Sequence, residues 1–270
     1  MEYTTLAVSV RDHVARIELN RPDKANAMNL PMWQEIRQAM RWADDTPDVR
    51  VAVIAGAGRH FTAGIDLSML GGVQAQVEDD CDGRSREKLR RTILDLQDCL
   101  TSIERCRKPV IAEIQGACVG GGIDLITCCD MRYCSADAYF SVKEIDVGMT
   151  ADVGTLQRLP RLIGEGMARE LAYTGRDVKG PEAQEIRLVN RCYESADALR
   201  AGVAALAATI AAKPPLSIRG CKEMITYVRD HSVADGLNYI ATWNAAMLMS
   251  SDLEEAFKAG REKRTPVYRD

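Results

Sequence analysis

The chain has 270 residues, 46% of them hydrophobic, a net charge of −4 and a pI near 5.6, enough apolar material for a sizeable core in one large domain or a domain with a helical appendage. No broad basic face marks it for nucleic acid, no run reaches the ~18 apolar residues of a membrane span, and the basic stretch at 83–91 is most simply a helix start with a solvated face. Nine irregularly spaced cysteines, with Cys118, Cys128, Cys129 and Cys134 inside apolar runs, read as buried reduced thiols, and His13, His60 and His231 lack ligand spacing, so neither a metal nor a cofactor is expected.

The N-terminus, Met1-Glu2-Tyr3-Thr4-Thr5, opens without a charged segment leading into an apolar one. Residues 4–10 alternate with Leu6, Val8 and Val10 on one face, Arg11-Asp12-His13 is a polar turn, and 14–19 carry Ala15, Ile17 and Leu19 on one face, which predicts a hairpin. Turn formers at 20–29 lead into a helix with the face Trp33, Ile36, Met40 and Ala43. Residues 49–55 form a β-branched run of the kind buried on both faces of a parallel sheet. Gly56-x-Gly58 after it lacks the third glycine of a dinucleotide fingerprint, and no Gly-Lys-Ser/Thr occurs. The small residues before Ile65 still make a place where backbone N–H groups can meet a ligand. Residues 71–84, with Glu78-Asp79-Asp80, predict a mobile surface loop, and from Arg86 the stripe Leu89, Ile93, Leu96, Leu100, Ile103 predicts a helix to Cys106.

The stretch 108–126 holds most of the chemistry. Pro109 opens one buried strand, which empties into Gly120-Gly121-Gly122 and then a helix ending near Asp130. Three residues without side chains admit close approach to the main chain, and the free N–H groups of a helix's first turn carry partial positive charge, so an oxyanion fits there. Asp124 stands beside it, and the turn before Ile65 supplies a second donor. A further strand at 138–142 delivers Glu144, Asp146 and Asp152 among small or apolar neighbours. Carboxylates in such company are costly to bury unless paired or protonated, and on spacing alone solvated or ion-paired acids are the simpler reading.

Pro160 is expected to break the next helix. Helices at 164–173 and 181–188 precede a small strand at 189–193, then three helices at 199–212, 217–229 and 233 to about 264, the last opened by Ser232 and Asp235 as a capping box. In that last helix Leu237, Ile240, Ala241, Met247 and Leu248, with Tyr239 and Trp243, spread apolar groups over more than one face, so another subunit is expected to cover it. The C-terminus, Val267-Tyr268-Arg269-Asp270, is not a peroxisomal Ser-Lys-Leu signal, and the two ends together predict a cytoplasmic location.

Asn20-Arg21-Pro22, His60-Phe61-Thr62-Ala63-Gly64-Ile65-Asp66-Leu67, Gly120-Gly121-Gly122 and Gly154-Thr155-Leu156-Gln157-Arg158-Leu159-Pro160, in that order, resemble the crotonase superfamily, the enoyl-CoA hydratase/isomerase fold, over about residues 5–265. The resemblance implies an α/β fold, with a spiral of ββα units over 1–197 and a helical trimerisation region over 198–270. It implies trimers stacked into hexamers and acyl-CoA thioester substrates, while the acidic charge and the lack of a long apolar run point to no nucleic-acid or membrane partner. It assigns an oxyanion hole to the N–H groups of Ile65 and Gly121, and substrate binding to Gly64, Ile65, Asp66, Leu67, Ser68 and Gly122.

Asp124, Glu144 and Asp152, the last standing where hydratases carry glycine, resemble the Δ3,5-Δ2,4-dienoyl-CoA isomerase subfamily, as do Val142-Lys143-Glu144-Ile145-Asp146-Val147-Gly148 and Arg229-Asp230-His231-Ser232-Val233. That implies a step in the β-oxidation of unsaturated chains, with Glu144 removing a proton at C2, Asp152 returning one at C6 and Asp124 polarising or positioning. Gln184-Glu185-Ile186-Arg187-Leu188-Val189 departs from the family, which usually has a small residue or glycine before Leu-Val. The rival readings are a hydratase using the same acids to hold water, and a non-catalytic acyl-CoA or RNA-binding module on the same fold. The acid triad and acidic pI weigh against the second rival.

Overall fold

The computed structural model describes residues 3–270, so Met1 and Glu2 of the N-terminal reading lie outside the described residues. The predicted hairpin is β1 (Leu6–Arg11) antiparallel to β2 (Val14–Leu19), closed by Asp12 and His13, both at positive φ as a tight hairpin turn requires. Asn29 caps α1 (Leu30–Asp45) by accepting from the Met32 N–H, and the helix buries Met32, Trp33, Ile36, Ala39, Met40 and Ala43 as its periodicity demands. β3 (Val51–Gly56) is buried throughout. There follow α2 (Leu67–Val77), α3 (Asp82–Arg105), β4 (Val110–Ile114), β5 (Ala117–Val119), α4 (Gly121–Thr127), β6 (Met131–Ser135), β7 (Tyr139–Ser141), a 3₁₀ turn (Lys143–Val147), α5 (Thr155–Ile163), α6 (Glu165–Thr174), β8 (Val178–Lys179), α7 (Gly180–Glu185), β9 (Arg191–Tyr193), α8 (Ala196–Ala211), α9 (Pro215–Tyr227), α10 (Val233–Met247) and α11 (Ser251–Glu262).

Six strands form one sheet in the order β1-β2-β3-β4-β6-β9, parallel from β2 onward, and β5-β7-β8 form a smaller sheet. The chain therefore visits the large sheet, crosses to the small one and returns by a helix: β4, β5, α4, and then again from β6 to β7. The segment after β3 does the same, joining the small sheet through a parallel bridge between Thr62 and Cys118. This is the expected α/β spiral of ββα units. The main core packs one face of the large sheet against α1 and α3, with Trp33, Phe61, Leu100, Ile103 and Phe140 fully buried. On the opposite face Val51, Val53 and Ile111 are closed off by Leu199, Val203, Ala207 and Ala211 of α8.

Several local expectations are corrected. Residues 71–84 are not a loop: Asp66 caps α2, and the acidic run is a short joint at which Asp79 pairs with Arg84 and Lys88 of α3. The single strand after Pro109 is two strands in different sheets, because Gly116 at φ +58° turns the chain where a side chain would strike the Arg59 carbonyl. β6 escaped notice because Arg132 interrupts its apolar pattern, yet that side chain is buried with its guanidinium on the Leu188 and Cys129 carbonyls. Pro160 does not break α5. One intrahelical bond is forgone, Leu159 beside it is buried in the core, and the helix runs on to Ile163. The long C-terminal helix is two, since Ser250 caps α11 by accepting from the Leu253 N–H. The Ser232–Asp235 capping box is present, and Cys118, Cys128, Cys129 and Cys134 are buried.

Candidate active site

The loop between β3 and α2 hangs on one buried side chain. Asn26, at φ +54°, donates through Nδ2 to the carbonyls of Ala57 (2.9 Å) and His60 (2.8 Å) and accepts the Arg21 N–H on Oδ1 (2.9 Å). Arg21 in turn pairs with Asp66 at 2.9 Å, and Thr62 Oγ1 donates to the Asn26 carbonyl while accepting the Gly64 N–H. Residue 28 then runs beside residue 65 as a parallel bridge, with the Met28 N–H on the Gly64 carbonyl and the Asp66 N–H on the Met28 carbonyl. The Ile65 N–H between them donates to no acceptor among the described residues.

The second turn lies against the first. Gly120, at φ +52°, donates to the Ser141 carbonyl and accepts from the N–H groups of Ile123 and Asp124, which leaves the Gly121 N–H, first in α4, without a partner among the described residues. A Cβ placed on Gly121 would stand 3.7 Å from the Ile65 nitrogen, so the two unengaged N–H groups are neighbours. The glycines are there for close approach. A Cβ on Gly64 would come within 2.7 Å of the Val119 carbonyl, and one on Gly120 within 3.3 Å of Glu144 Oε1. Gly122 is different: its missing side chain lets α4 pack on Thr62 and Cys118, so it serves packing.

Three acids whose charges act on one another lie at this turn, Glu144 against Gly120. Asp124 is 1% exposed; its Oδ1 accepts the N–H of Thr155, first residue of α5, at 2.6 Å, and its Oδ2 is buried without a partner among the described residues. Burial pushes its carboxyl up to about 6, with Asp152 adding to the rise and the Thr155 hydrogen bonds and Arg158 opposing it. Glu144, on the 3₁₀ turn, also buries an unpartnered oxygen, Oε2, and is pushed up to about 7, first by burial and then by the charges of Asp124 and Asp152. Burial raises Asp152 as well, and its carbonyl is held by Gln97 Nε2 of α3 at 2.7 Å. Asp146, the remaining acid of that stretch, pairs with Lys143 on the surface at 2.6 Å.

The structure thus brings Asp124, Glu144 and Asp152 together, and with them Ile65 and Gly121. Two shielded carboxylate oxygens and two free N–H groups suit a carbonyl compound whose oxygen gathers charge while a neighbouring proton is moved. Among the other residues implied to bind substrate, Leu67 is exposed, whereas Asp66 and Ser68 are engaged in capping α2, the Asp66 carboxylate accepting from the Ser68 N–H and hydroxyl. Sequence reasoning missed Asn26, Gln97 and Thr155, which touch the site only through folding; Asn26, inside a stretch of turn formers, carried the one available hint.

The family model described as enoyl-CoA hydratase/isomerase matches residues 9–270. The peroxisomal Delta(3,5)-Delta(2,4)-dienoyl-CoA isomerase of Arabidopsis thaliana is 47% identical over 98% of this chain and 97% of its own length. The mitochondrial Delta(3,5)-Delta(2,4)-dienoyl-CoA isomerase of Homo sapiens is 45% identical over 97% of this chain and 80% of its own length. The crystal structure of an enoyl-CoA hydratase from Bacillus anthracis superposes with a TM-score of 0.89 at 30% identity, covering 98% of this chain and 99% of that one. These relatives overturn the cytoplasmic location expected from the two ends of the chain, since the plant protein is a peroxisomal form and the human one mitochondrial.

Proposed function

The chain belongs to the enoyl-CoA hydratase/isomerase family, and from that premise we propose that it is a Δ3,5-Δ2,4-dienoyl-CoA isomerase acting in the oxidation of unsaturated fatty acids. The observation that carries the mechanism is the pair of unpartnered buried oxygens, Asp124 Oδ2 and Glu144 Oε2, beside the free N–H groups of Ile65 and Gly121. The thioester oxygen of the acyl-CoA accepts from those two N–H groups. Glu144 takes the C2 proton, and the electron pair of the broken C–H bond spreads through an extended dienolate whose charge rests on the thioester oxygen. Asp152 gives a proton to C6, which leaves double bonds at C2 and C4. Two acids are required because C2 and C6 are four bonds apart and proton transfer needs contact within about 3 Å. Asp124, fixed by the Thr155 N–H, polarises and positions between them.

The same reading makes residues 198–270 the region through which copies assemble, as a trimer or a dimer of trimers. Its support is a groove of about 690 Å³ between α9, α10 and α11, away from the acids, lined by Met224, Ile225, Leu237, Trp243 and Leu253 among others. The deciding assay gives the purified protein 3,5-octadienoyl-CoA and follows the conjugated 2,4-dienoyl product by ultraviolet absorbance. Water addition to a 2-enoyl-CoA with no dienoyl product would make it a hydratase instead.

A further inference from the structure

Behind the acids, α3, α5 and the end of α9 are drawn together by one carboxylate. Glu104 Oε2 accepts from Arg158 Nε at 3.0 Å and from Arg229 Nη1 at 2.7 Å, and Arg158 Nη2 reaches Thr101 Oγ1 at 3.3 Å. Arg158 and Glu104 are only 17% and 19% exposed. Arg229 is held in turn, its carbonyl accepting from Arg161, which pairs with Asp230. The Arg158 guanidinium lies flush against Gly154, where any Cβ would overlap it and where φ is +136°.

Gly154 sits between Asp152 and Thr155. The segment 152–155 is therefore held from two sides, by Gln97 Nε2 on the Asp152 carbonyl and by Arg158 beneath Gly154. It carries two things the site needs: the Asp152 carboxyl itself, and the Thr155 N–H that fixes Asp124. An ion pair kept only for stability would not need to seat a guanidinium under this turn. With two arginines on one glutamate the cluster also keeps one positive charge uncompensated, at the back of a group of three acids.

We propose that Arg158, clamped by Glu104, is a positioning residue of the isomerisation, holding segment 152–155 so that Asp152 faces C6 and the Thr155 N–H stays on Asp124, a role that rests on the dienoyl-CoA isomerase reading above. Its charge has a second effect. Asp124 is faced by Glu144 from the 3₁₀ turn, Asp152 from the loop before α5, Arg158 from α5 and Cys128 from its own helix, with Glu104 of α3 and Arg229 after α9 reaching it through Arg158. Arg158 is the cation that opposes the rise of Asp124, so its loss makes that carboxylate harder to ionise.

The test uses the full-length protein with 3,5-octadienoyl-CoA in deuterated water, comparing C2 exchange with 2,4-dienoyl product across pH. The wild-type protein must turn over first; if it does not, the isomerase reading fails and takes this role with it. With an active wild type, Arg158→Met is expected to lower product formation by roughly 10- to 100-fold, to spare exchange more than product, and to shift the rising limb of kcat/KM through the altered charge on Asp124. Arg158→Lys should return the limb toward its wild-type position, since the charge is back, but not the product-to-exchange ratio, since the fork is not. If Arg158→Met does not fold, Glu104→Gln, which releases Arg158 while keeping the shape, should show the same loss of product relative to exchange. Wild-type ratio and wild-type pH limb in whichever variant folds, with only a lowered Tm, would reduce the cluster to a structural ion pair.

Discussion

Around β5 and the start of α5 three carboxylates gather, two of them with an oxygen shut away from water; along α9, α10 and α11 large apolar side chains are left in it. Asp124 is 1% exposed, whereas Val233, Leu237, Met249 and Phe257 are 76%, 64%, 89% and 64% exposed. Both arrangements are unfavourable for one chain alone, the first through desolvation and the second through wetted hydrocarbon. They differ in how they are held. The acids sit on a backbone fixed by Gln97, by the Thr155 N–H on Asp124 and by the turn at Gly120, so their unfavourable state cannot relax. The helices and the tail after them are tied to the core at a few points, Lys222 to Asp130 and to the Lys108 carbonyl and Arg50 to the Tyr268 carbonyl, and present an open face. A desolvated site that is locked in place is ready for a substrate; an open apolar face is left to be covered, which the proposed assembly would do.

The sharpest way to break the first half of that contrast is to remove the acids one at a time. Glu144→Gln and Asp152→Asn should each slow isomerisation by roughly 10²- to 10⁴-fold. In deuterated water Asp152→Asn should still exchange the C2 hydrogen while making little 2,4-dienoyl product, and Glu144→Gln should do neither. Exchange surviving in Glu144→Gln and lost in Asp152→Asn would swap the two roles.

Next comes the oxyanion cradle. Gly121→Val is a blunt probe, because its Cβ would press on the Met28 methyl at 2.7 Å and approach the Trp33 indole at 3.5 Å. Gly64→Ala, at φ +93° and against the Val119 carbonyl, should displace the neighbouring Ile65 N–H and cost roughly 10²- to 10³-fold in kcat. An unchanged kcat would mean that the thioester oxygen lies elsewhere.

Stability should answer the same acids with the opposite sign. The Asp124 carboxyl stands at about 6 in the folded chain against 3.8 for an ordinary aspartate, so the folded state holds its proton more tightly and loses stability as pH rises from the unfolded value through the folded one. Asp124→Asn should therefore be the more stable protein at about pH 8, by at most about 3 kcal/mol, with the advantage fading below about pH 4. Urea unfolding at the two pH values measures it, and a variant less stable at both would show that the Thr155 hydrogen bond matters more than the buried charge.

The smallest expected effect concerns the helical face. Leu237→Asn with Phe257→Ser should alter the stability of an isolated chain by no more than about 0.5 kcal/mol per site, since both side chains are already wet. By sedimentation the pair should nonetheless shift assemblies toward monomer. Assemblies that persist unchanged would put the contact on another surface.

The sequence made the hairpin and the face of α1 readable, because alternation and a 3.6-residue stripe are local signals. It did not separate β4 from β5, since the division depends on a single left-handed glycine, Gly116, inside a mostly apolar stretch. The acids show the same limit. Spacing alone treated Glu144, Asp146 and Asp152 alike; only the fold sends Asp146 out to Lys143 and keeps the other two beside Asp124. Gln97 and Asp152 are 55 residues apart and Asp124 and Thr155 are 31 apart, distances over which no sequence window carries a pattern.

The two N–H groups proposed to hold the thioester oxygen belong to the main chain, and a main-chain donor has no codon of its own. At position 65 every substitution except proline keeps the N–H, so the side chain there can change while the donor is inherited unchanged. Position 121 has no such freedom, with Met28 and Trp33 against it.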